Sequence, residues 1–184
     1  MTSSNIDMTR RSLVCLGMTA LFFSAAGPAM ASTPRMKGMR ALAFHNLHTD
    51  ERLRVTYWKD GKYLPEAHAS INHLLRDHYS GDIHNMDIRL MDLLHGLQSK
   101  IGNDGALEVI SGYRSPRTNF KLARYSNGVA TQSYHTRGMA IDVRLPGTSL
   151  NKLHNVALAL RRGGVGYYPE SQFVHIDVGP VRKW

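Results

Sequence analysis

Two imidazoles and one carboxylate recur in this chain at spacings that suit a single divalent cation. His135 and Asp142 stand seven residues apart in Ser133-Tyr134-His135-Thr136-Arg137-Gly138-Met139-Ala140-Ile141-Asp142, and His175 follows in Phe173-Val174-His175-Ile176-Asp177. Two neutral nitrogens and an anionic oxygen make a three-point zinc site whose fourth position stays open to water. That is a catalytic layout, because structural zinc usually has all four positions closed by protein ligands. The His-x6-Asp spacing is by itself only a moderately specific pattern.

The surrounding sequence must place these groups. Residues 139–145 alternate as a strand with Ala140 and Asp142 on one face, which leaves His135 on the incoming loop. Residues 165–168 and 172–178, around Pro169-Glu170, read as a hairpin whose second strand shares a face between His175 and Asp177. Residues 106–110 read as a central strand delivering Ser111-Gly112-Tyr113-Arg114-Ser115-Pro116, and Ser115-Pro116 is a good helix start for residues 117–125. Arg114 therefore sits at a strand-to-helix junction, where it projects into a cleft or pairs with a surface carboxylate. Residues 126–132 are polar and glycine-containing, hence a loop.

Further upstream, residues 41–47 and 52–58 read as strands, with Asp60-Gly61 as a tight turn. Pro65 opens an amphipathic helix through Ala67, Ile71, Leu74, Leu75 and His78, ending near residues 79–81. A second helix, capped by Asp87 or Asn85, buries Ile88, Met91, Leu94, Leu97 and Ile101 and stops at Gly102. A third carries Leu150, Leu153, Val156, Ala157 and Leu160 and stops at Gly163-Gly164. The pattern predicts one α+β domain with helices packed on an antiparallel sheet. The remaining histidines are poorer ligand candidates. His68, His73 and His78 are five residues apart, so successive rings point more than about 100° apart around a helix axis. His45 and His48 in the first hairpin are read as surface or hydrogen-bonding groups.

Residues 1–31 are expected to be a twin-arginine signal peptide, with Arg10-Arg11 ahead of a mostly apolar run and Ala29-Met30-Ala31 as the cleavage pattern. The run falls short of the ~20 apolar residues of a membrane span, so no stable membrane insertion is expected after cleavage. Residues 32–40 read as a flexible lead-in, and residues 41–184 as the folded domain. The single cysteine, Cys15, lies in the signal, which removes disulfides and thiolate ligands from the mature chain. From Ser32 onward there are 21 basic and 13 acidic residues, a net charge of +8. The cations are scattered, with no Lys/Arg run beyond two and no finger or RNA-binding signature, so nucleic acid is not an expected partner. A basic exported protein instead meets anionic polymers of the envelope.

Ser133-x-His135-x-x-Gly138-x-Ala140-x-Asp142 resembles the signature of the zinc D-Ala-D-Ala peptidases, which share a fold with lysostaphin-type enzymes. Ser111-Gly112-Tyr113-Arg114-Ser115 resembles their Ser-Gly-Tyr-Arg-Ser segment, and residues 164–169 with 173–177 resemble their third ligand strand. Three ordered motifs at matching separations are far more specific than one. The resemblance implies the hedgehog/DD-peptidase-like fold and a periplasmic zinc endopeptidase that hydrolyses peptide cross-links of peptidoglycan, at D-Ala-mDAP or mDAP-mDAP bonds, during cell-wall growth. It implies one zinc ion held by His135, Asp142 and His175, with Arg114 binding or polarising the substrate carbonyl and Tyr113 and Ser133 on the substrate side. One departure stands out. Many relatives carry a Glu three residues, or a His two residues, before the last ligand as general base, whereas this chain has Gln172 and Phe173. Asp177 is the nearest titratable substitute; the other reading makes it a carboxylate that orients His175. The missing base also leaves open a catalytically inactive zinc-containing module that binds peptidoglycan.

Overall fold

The computed structural model describes residues 38–125 and 130–184. The expected signal peptide, nearly all of the lead-in and residues 126–129 of the expected loop lie outside these. The elements run β1 (Met39–Asn46), β2 (Arg52–Lys59), β3 (Lys62–Tyr63), α1 (Pro65–Leu74), α2 (Ile88–Ile101), β4 (Leu107–Ser111) and α3 (Pro116–Tyr125). A 3-10 turn (Tyr134–Arg137), β5 (Ala140–Arg144), α4 (Leu150–Leu160), β6 (Gly164–Tyr168), β7 (Phe173–Asp177) and β8 (Arg182–Lys183) complete the order.

The fold is α+β as expected, but the sheet is mixed rather than antiparallel. Its eight strands lie in the order β3-β2-β1-β4-β5-β7-β6-β8. β1 and β4 pair in parallel, as do β6 and β8, while the remaining neighbours are antiparallel. A parallel pair needs a long crossover, and α1 with α2 provides it between the first hairpin and β4. Alternation read from one strand at a time does not reveal which neighbour that strand will find.

Asp60 and Gly61 both adopt positive φ, 49° and 82°, as a two-residue hairpin turn between β2 and β3 requires. β1 starts two residues inside the expected lead-in because Arg40 is held by Asp92 at 2.7 Å and lies over the Trp58 ring at 4.5 Å. α2 follows its pattern closely. Asp87 accepts the Arg89 amide as N-cap, Gly102 closes the helix at φ 77°, and Leu90, Met91, Leu94 and Leu97 are fully buried. Each such side chain contributes about 1.5–3 kcal/mol on burial.

α1 ends five residues earlier than its periodicity predicts. The Leu75 carbonyl turns to accept the Tyr113 amide at 2.8 Å, and the buried carboxylate of Asp77 accepts the amides of Tyr79 and Ser115, each at 2.9 Å. Those bonds tie the chain to the end of β4 and leave no helix to propagate. α4 likewise ends at Arg161, which takes the left-handed conformation itself. Gly163 is needed for close approach, since a Cβ there would lie 1.7 Å from the Asp177 carbonyl oxygen.

The sheet's two faces have separate duties. Ile141, Val143, Val174 and Ile176 join the buried cluster that α2 and α4 complete. The alternate positions of β5 and β7 carry Asp142, His175 and Asp177 on the opposite face, with Asp142 directly across from His175. Among the described residues, no helix is long and apolar enough to cross a membrane.

Candidate metal centre

Three elements deliver the three ligand candidates. β5 brings Asp142 and β7 brings His175 as cross-strand partners. His135 comes from the 3-10 turn, whose N-cap Ser133 accepts the His135 amide at 3.3 Å and whose C-cap Gly138 has φ 66°. A Cβ at Gly138 would meet the Asn85 carbonyl oxygen at 2.4 Å, so this turn closes only with glycine.

The side chains converge. His135 Nε2 lies 3.2 Å from Asp142 Oδ1 and 3.2 Å from His175 Nδ1, and His175 Nδ1 lies 2.8 Å from the same Oδ1. All three residues are buried, and among the described residues this is the sole group of His, Cys, Asp or Glu with metal-site geometry. They form the floor of a cleft of about 510 Å³, which Arg114, Tyr134, Tyr168, Phe173, Arg182 and Trp184 help to wall.

The outer nitrogens decide what the inner ones can do. His135 Nδ1 lies 2.7 Å from the Gly112 carbonyl oxygen, which only accepts, so that nitrogen carries the hydrogen. His175 Nε2 lies 3.0 Å from Asp177 Oδ2 and by the same reasoning is the donor. In the neutral rings the two inward nitrogens are therefore bare lone pairs beside an anionic oxygen. Three acceptors aimed at one point repel unless a cation sits among them, and two imidazole nitrogens with one carboxylate oxygen are a donor set that zinc accepts.

The electrostatics agree. Burial pushes the His135 imidazole down. Burial would also lower His175, but its bonds to Asp142 and Asp177 outweigh it and hold that ring above the ordinary histidine value. Burial alone would raise the Asp142 carboxyl, yet the two imidazoles keep it well below the usual carboxylate range. A proton on His175 and a cation thus compete for one space.

Arg114 anchors the same carboxylate. Its Nη2 donates to Asp142 Oδ2 at 3.2 Å and its Nε to Ser111 Oγ at 3.1 Å, and the guanidinium reaches the cleft wall. Of the two alternatives in the sequence, the position in a cleft is present, and the carboxylate that Arg114 pairs with is the buried Asp142 rather than one on the surface. Ser133 also lines the cleft, with its hydroxyl serving the turn that carries His135. Tyr113 does not fit the substrate-side role expected of it. Its largely buried ring stacks on the exposed His84 at 4.6 Å, and it is not among the residues that wall the cleft.

The general-base role expected for Asp177 conflicts with its surroundings. The side chain has no exposed surface, and it accepts hydrogen bonds from His175, from both terminal nitrogens of Arg182 and from the amides of Gly164 and Gly179. Burial would raise its carboxyl, but those donors hold it well below the usual range. A sealed, saturated carboxylate has neither the access nor the basicity to collect a proton from water.

The other histidines stay apart from the cluster. His45 pairs with Asp50 at 2.6 Å, His48 bonds the Ile110 carbonyl and stacks on His78, and His68 bonds the Met86 carbonyl. Arg182 and Trp184 escape sequence reasoning because β8 is two residues long and reads as a charged tail. Its single signal is an aromatic residue following a Gly-Pro turn.

Comparison with known proteins matches residues 34–184 to the family model described as Peptidoglycan L,D-endopeptidase MepK. The chain is 44% identical over 181 residues to the Peptidoglycan L,D-endopeptidase MepK of Escherichia coli K12, covering 97% of this chain and 98% of that protein. It is 40% identical over 183 residues to the Probable peptidoglycan L,D-endopeptidase MepK of Haemophilus influenzae, covering 97% of each. No solved structure matches the chain.

Proposed function

Since the chain belongs to the peptidoglycan L,D-endopeptidase MepK family, we propose that it is a zinc-dependent endopeptidase hydrolysing peptide cross-links of peptidoglycan. The observation that carries the metal is the convergence of three ligand atoms: each ring's outer nitrogen is hydrogen-bonded, to Gly112 or Asp177, and its inner nitrogen is turned toward Asp142. His135 through Nε2, His175 through Nδ1 and Asp142 through Oδ1 hold one ion. When bound, zinc supplies the Lewis acidity that makes water a competent nucleophile near neutral pH.

The protein's own groups do the rest. Arg114 and Asp177 fix Asp142 and His175 in ligating orientation from behind, the arrangement that sets metal affinity in such sites. The buried guanidinium of Arg114 also contributes positive potential to the cleft wall, where an amide oxygen gains charge as its carbon becomes tetrahedral. Of the two cross-links the sequence left open, the relatives' name favours mDAP-mDAP, an amide with an L-configured acyl centre and a D-configured amine centre. The paired arginines and apolar run of residues 1–31 support export by the twin-arginine pathway to the periplasm, where that polymer lies.

A second reading keeps the fold and the ion but not the chemistry. Among the described residues walling the cleft, no carboxylate is free to act as a base, which favours an inactive peptidoglycan-binding module. One experiment separates the two. Mature protein loaded with zinc is expected to split a defined mDAP-mDAP dimer into monomers identified by mass, to stop on chelation and to fail as His135→Ala. One bound equivalent of zinc with no cleavage of either cross-link type makes it a binding module.

A further inference from the structure

A hydrogen-bond donor aimed at the oxygen that becomes anionic speeds amide hydrolysis, and both guanidinium groups that wall this cleft are already engaged. Arg114 serves Ser111, Asn119 and Asp142. Arg182 places both terminal nitrogens on Asp177 and shares one with the Pro180 carbonyl. Ser133 Oγ accepts the His135 amide within the turn that carries that ring.

Tyr168 is different. Its hydroxyl oxygen accepts the indole N–H of Trp184 at 2.8 Å, and among the described residues no group accepts its own hydrogen. Its ring is clamped by Phe173, stacked at 4.5 Å with an interplanar angle of 18°. On β6 it lies two residues beyond Gly166, the register partner of His175, so it stands on the ligand face of the sheet. The accepted bond from Trp184 orients the remaining hydrogen away from the indole.

Trp184 is held in turn. A Cβ at Gly166 would lie 2.6 Å from the indole, whose ring centroid is 5.1 Å from that of His175 and 4.9 Å from the Arg182 guanidinium carbon. The ring occupies the space that a side chain at residue 166 would fill. The last strand thereby reaches into the cleft and sets the hydroxyl of the strand beside it.

We propose that Tyr168 is a catalytic residue that donates its hydroxyl hydrogen to the carbonyl oxygen of the scissile amide as that oxygen becomes anionic, with Trp184 and Gly166 as positioning residues acting through it. No proton is transferred and no bond in Tyr168 breaks; the hydrogen bond strengthens as charge develops and relaxes when the amine leaves. The assignment rests on the endopeptidase reading above.

Zinc-loaded Tyr168→Phe is expected to lose about 10²-fold in kcat, the usual effect of removing one oxyanion donor. Its KM is expected within about threefold of wild type, with one zinc still bound. Trp184→Phe keeps the hydroxyl and loses its orienter, so a smaller loss, about five- to tenfold, is expected. The double variant should be no slower than Tyr168→Phe alone, which a merely structural pair would not produce. Binding supplies a second readout: a phosphinate mimic of the tetrahedral state should bind Tyr168→Phe more weakly by the factor lost in kcat/KM, with product affinity unchanged. Wild-type cleavage with Tyr168→Phe within twofold of it overturns this assignment alone. A wild-type protein that neither cleaves the dimer nor binds the phosphinate overturns the endopeptidase reading and this assignment together.

Discussion

Arg182 grips Asp177 at two points, Nη2 on Oδ2 at 2.6 Å and Nη1 on Oδ1 at 3.1 Å, and Oδ2 is the atom that also receives Nε2 of His175. A cation on the last strand therefore reaches a ligand candidate through one buried carboxylate, and Tyr134 and Trp184 flank that cation at 4.9 Å each.

The line from Arg182 to His175 makes Asp177→Asn a test of what the carboxylate does. An orienting partner sets affinity more than chemistry, so zinc affinity is expected to fall about 10- to 100-fold. Turnover at saturating zinc should stay within about threefold of wild type. Chelator competition and kinetics at saturating zinc measure the two effects separately. A collapse of turnover with unchanged affinity would restore Asp177 as the proton acceptor.

Removing a ligand is expected to act differently. His135→Ala and His175→Ala should each bind less than a tenth of an equivalent of zinc at micromolar concentration and show no cleavage, while keeping a wild-type far-UV circular dichroism spectrum. The sheet core on the helix side contains neither ring, which is why the fold should persist. Native mass spectrometry gives the stoichiometry.

Close backbone approach predicts the most damaging small substitutions. A Cβ at Gly163 would lie 1.7 Å from the Asp177 carbonyl oxygen, and one at Gly112 would lie 2.5 Å from the Leu75 carbonyl oxygen. Neither obstacle is a flexible side-chain end. Gly163→Ala and Gly112→Ala should each cost about 2–3 kcal/mol or more, as overpacking against fixed atoms does. Gly112→Ala should also weaken zinc binding, because the Gly112 carbonyl holds His135. Chemical denaturation and zinc titration of the soluble fraction check both.

Asp77 sets an acid limit. Burial would raise its carboxyl, but bonds from Thr118, Ser115 and Tyr79 outweigh it and hold the group well below the usual range. A depressed folded value contributes stability that is fully present above the unfolded value of about 3.9 and disappears as pH falls toward the folded one. Asp77→Asn should cost about 1–3 kcal/mol at pH 7, and its deficit relative to wild type should shrink at pH 3. Urea denaturation at the two pH values tests this; a deficit independent of pH would show that the charge is not what stabilises the turn.

Asp77 also illustrates what the sequence conceals. The spacing of Ala67, Ile71, Leu74 and Leu75 correctly announces a helix, but its end is set by a carboxylate binding amides 38 residues away at Ser115, a partnership no local pattern records. The convergence of His135, Asp142 and His175 was legible because strand alternation and motif spacing both report local geometry. The parallel pairings of β1 with β4 and β6 with β8 were not, since hydrophobic period fixes which face a residue takes and says nothing about its neighbour's direction. Tyr113 sits in a recognisable motif yet faces the core, and Arg182 sits in none yet bonds the carboxylate behind a ligand candidate. In both cases the side chain's direction depends on packing that only the assembled sheet determines.

The two imidazoles with their hydrogens committed outward resemble the voussoirs of an arch, cut to lean on a keystone. A chain whose native form alone offers such a seat is stabilised by RT ln(1 + [L]/Kd), about 2.7 kcal/mol at a hundredfold excess over Kd. If zinc is the ion held there, the thermal midpoint becomes a gauge of local zinc supply, and proteolysis would remove the molecules that have nothing to work with.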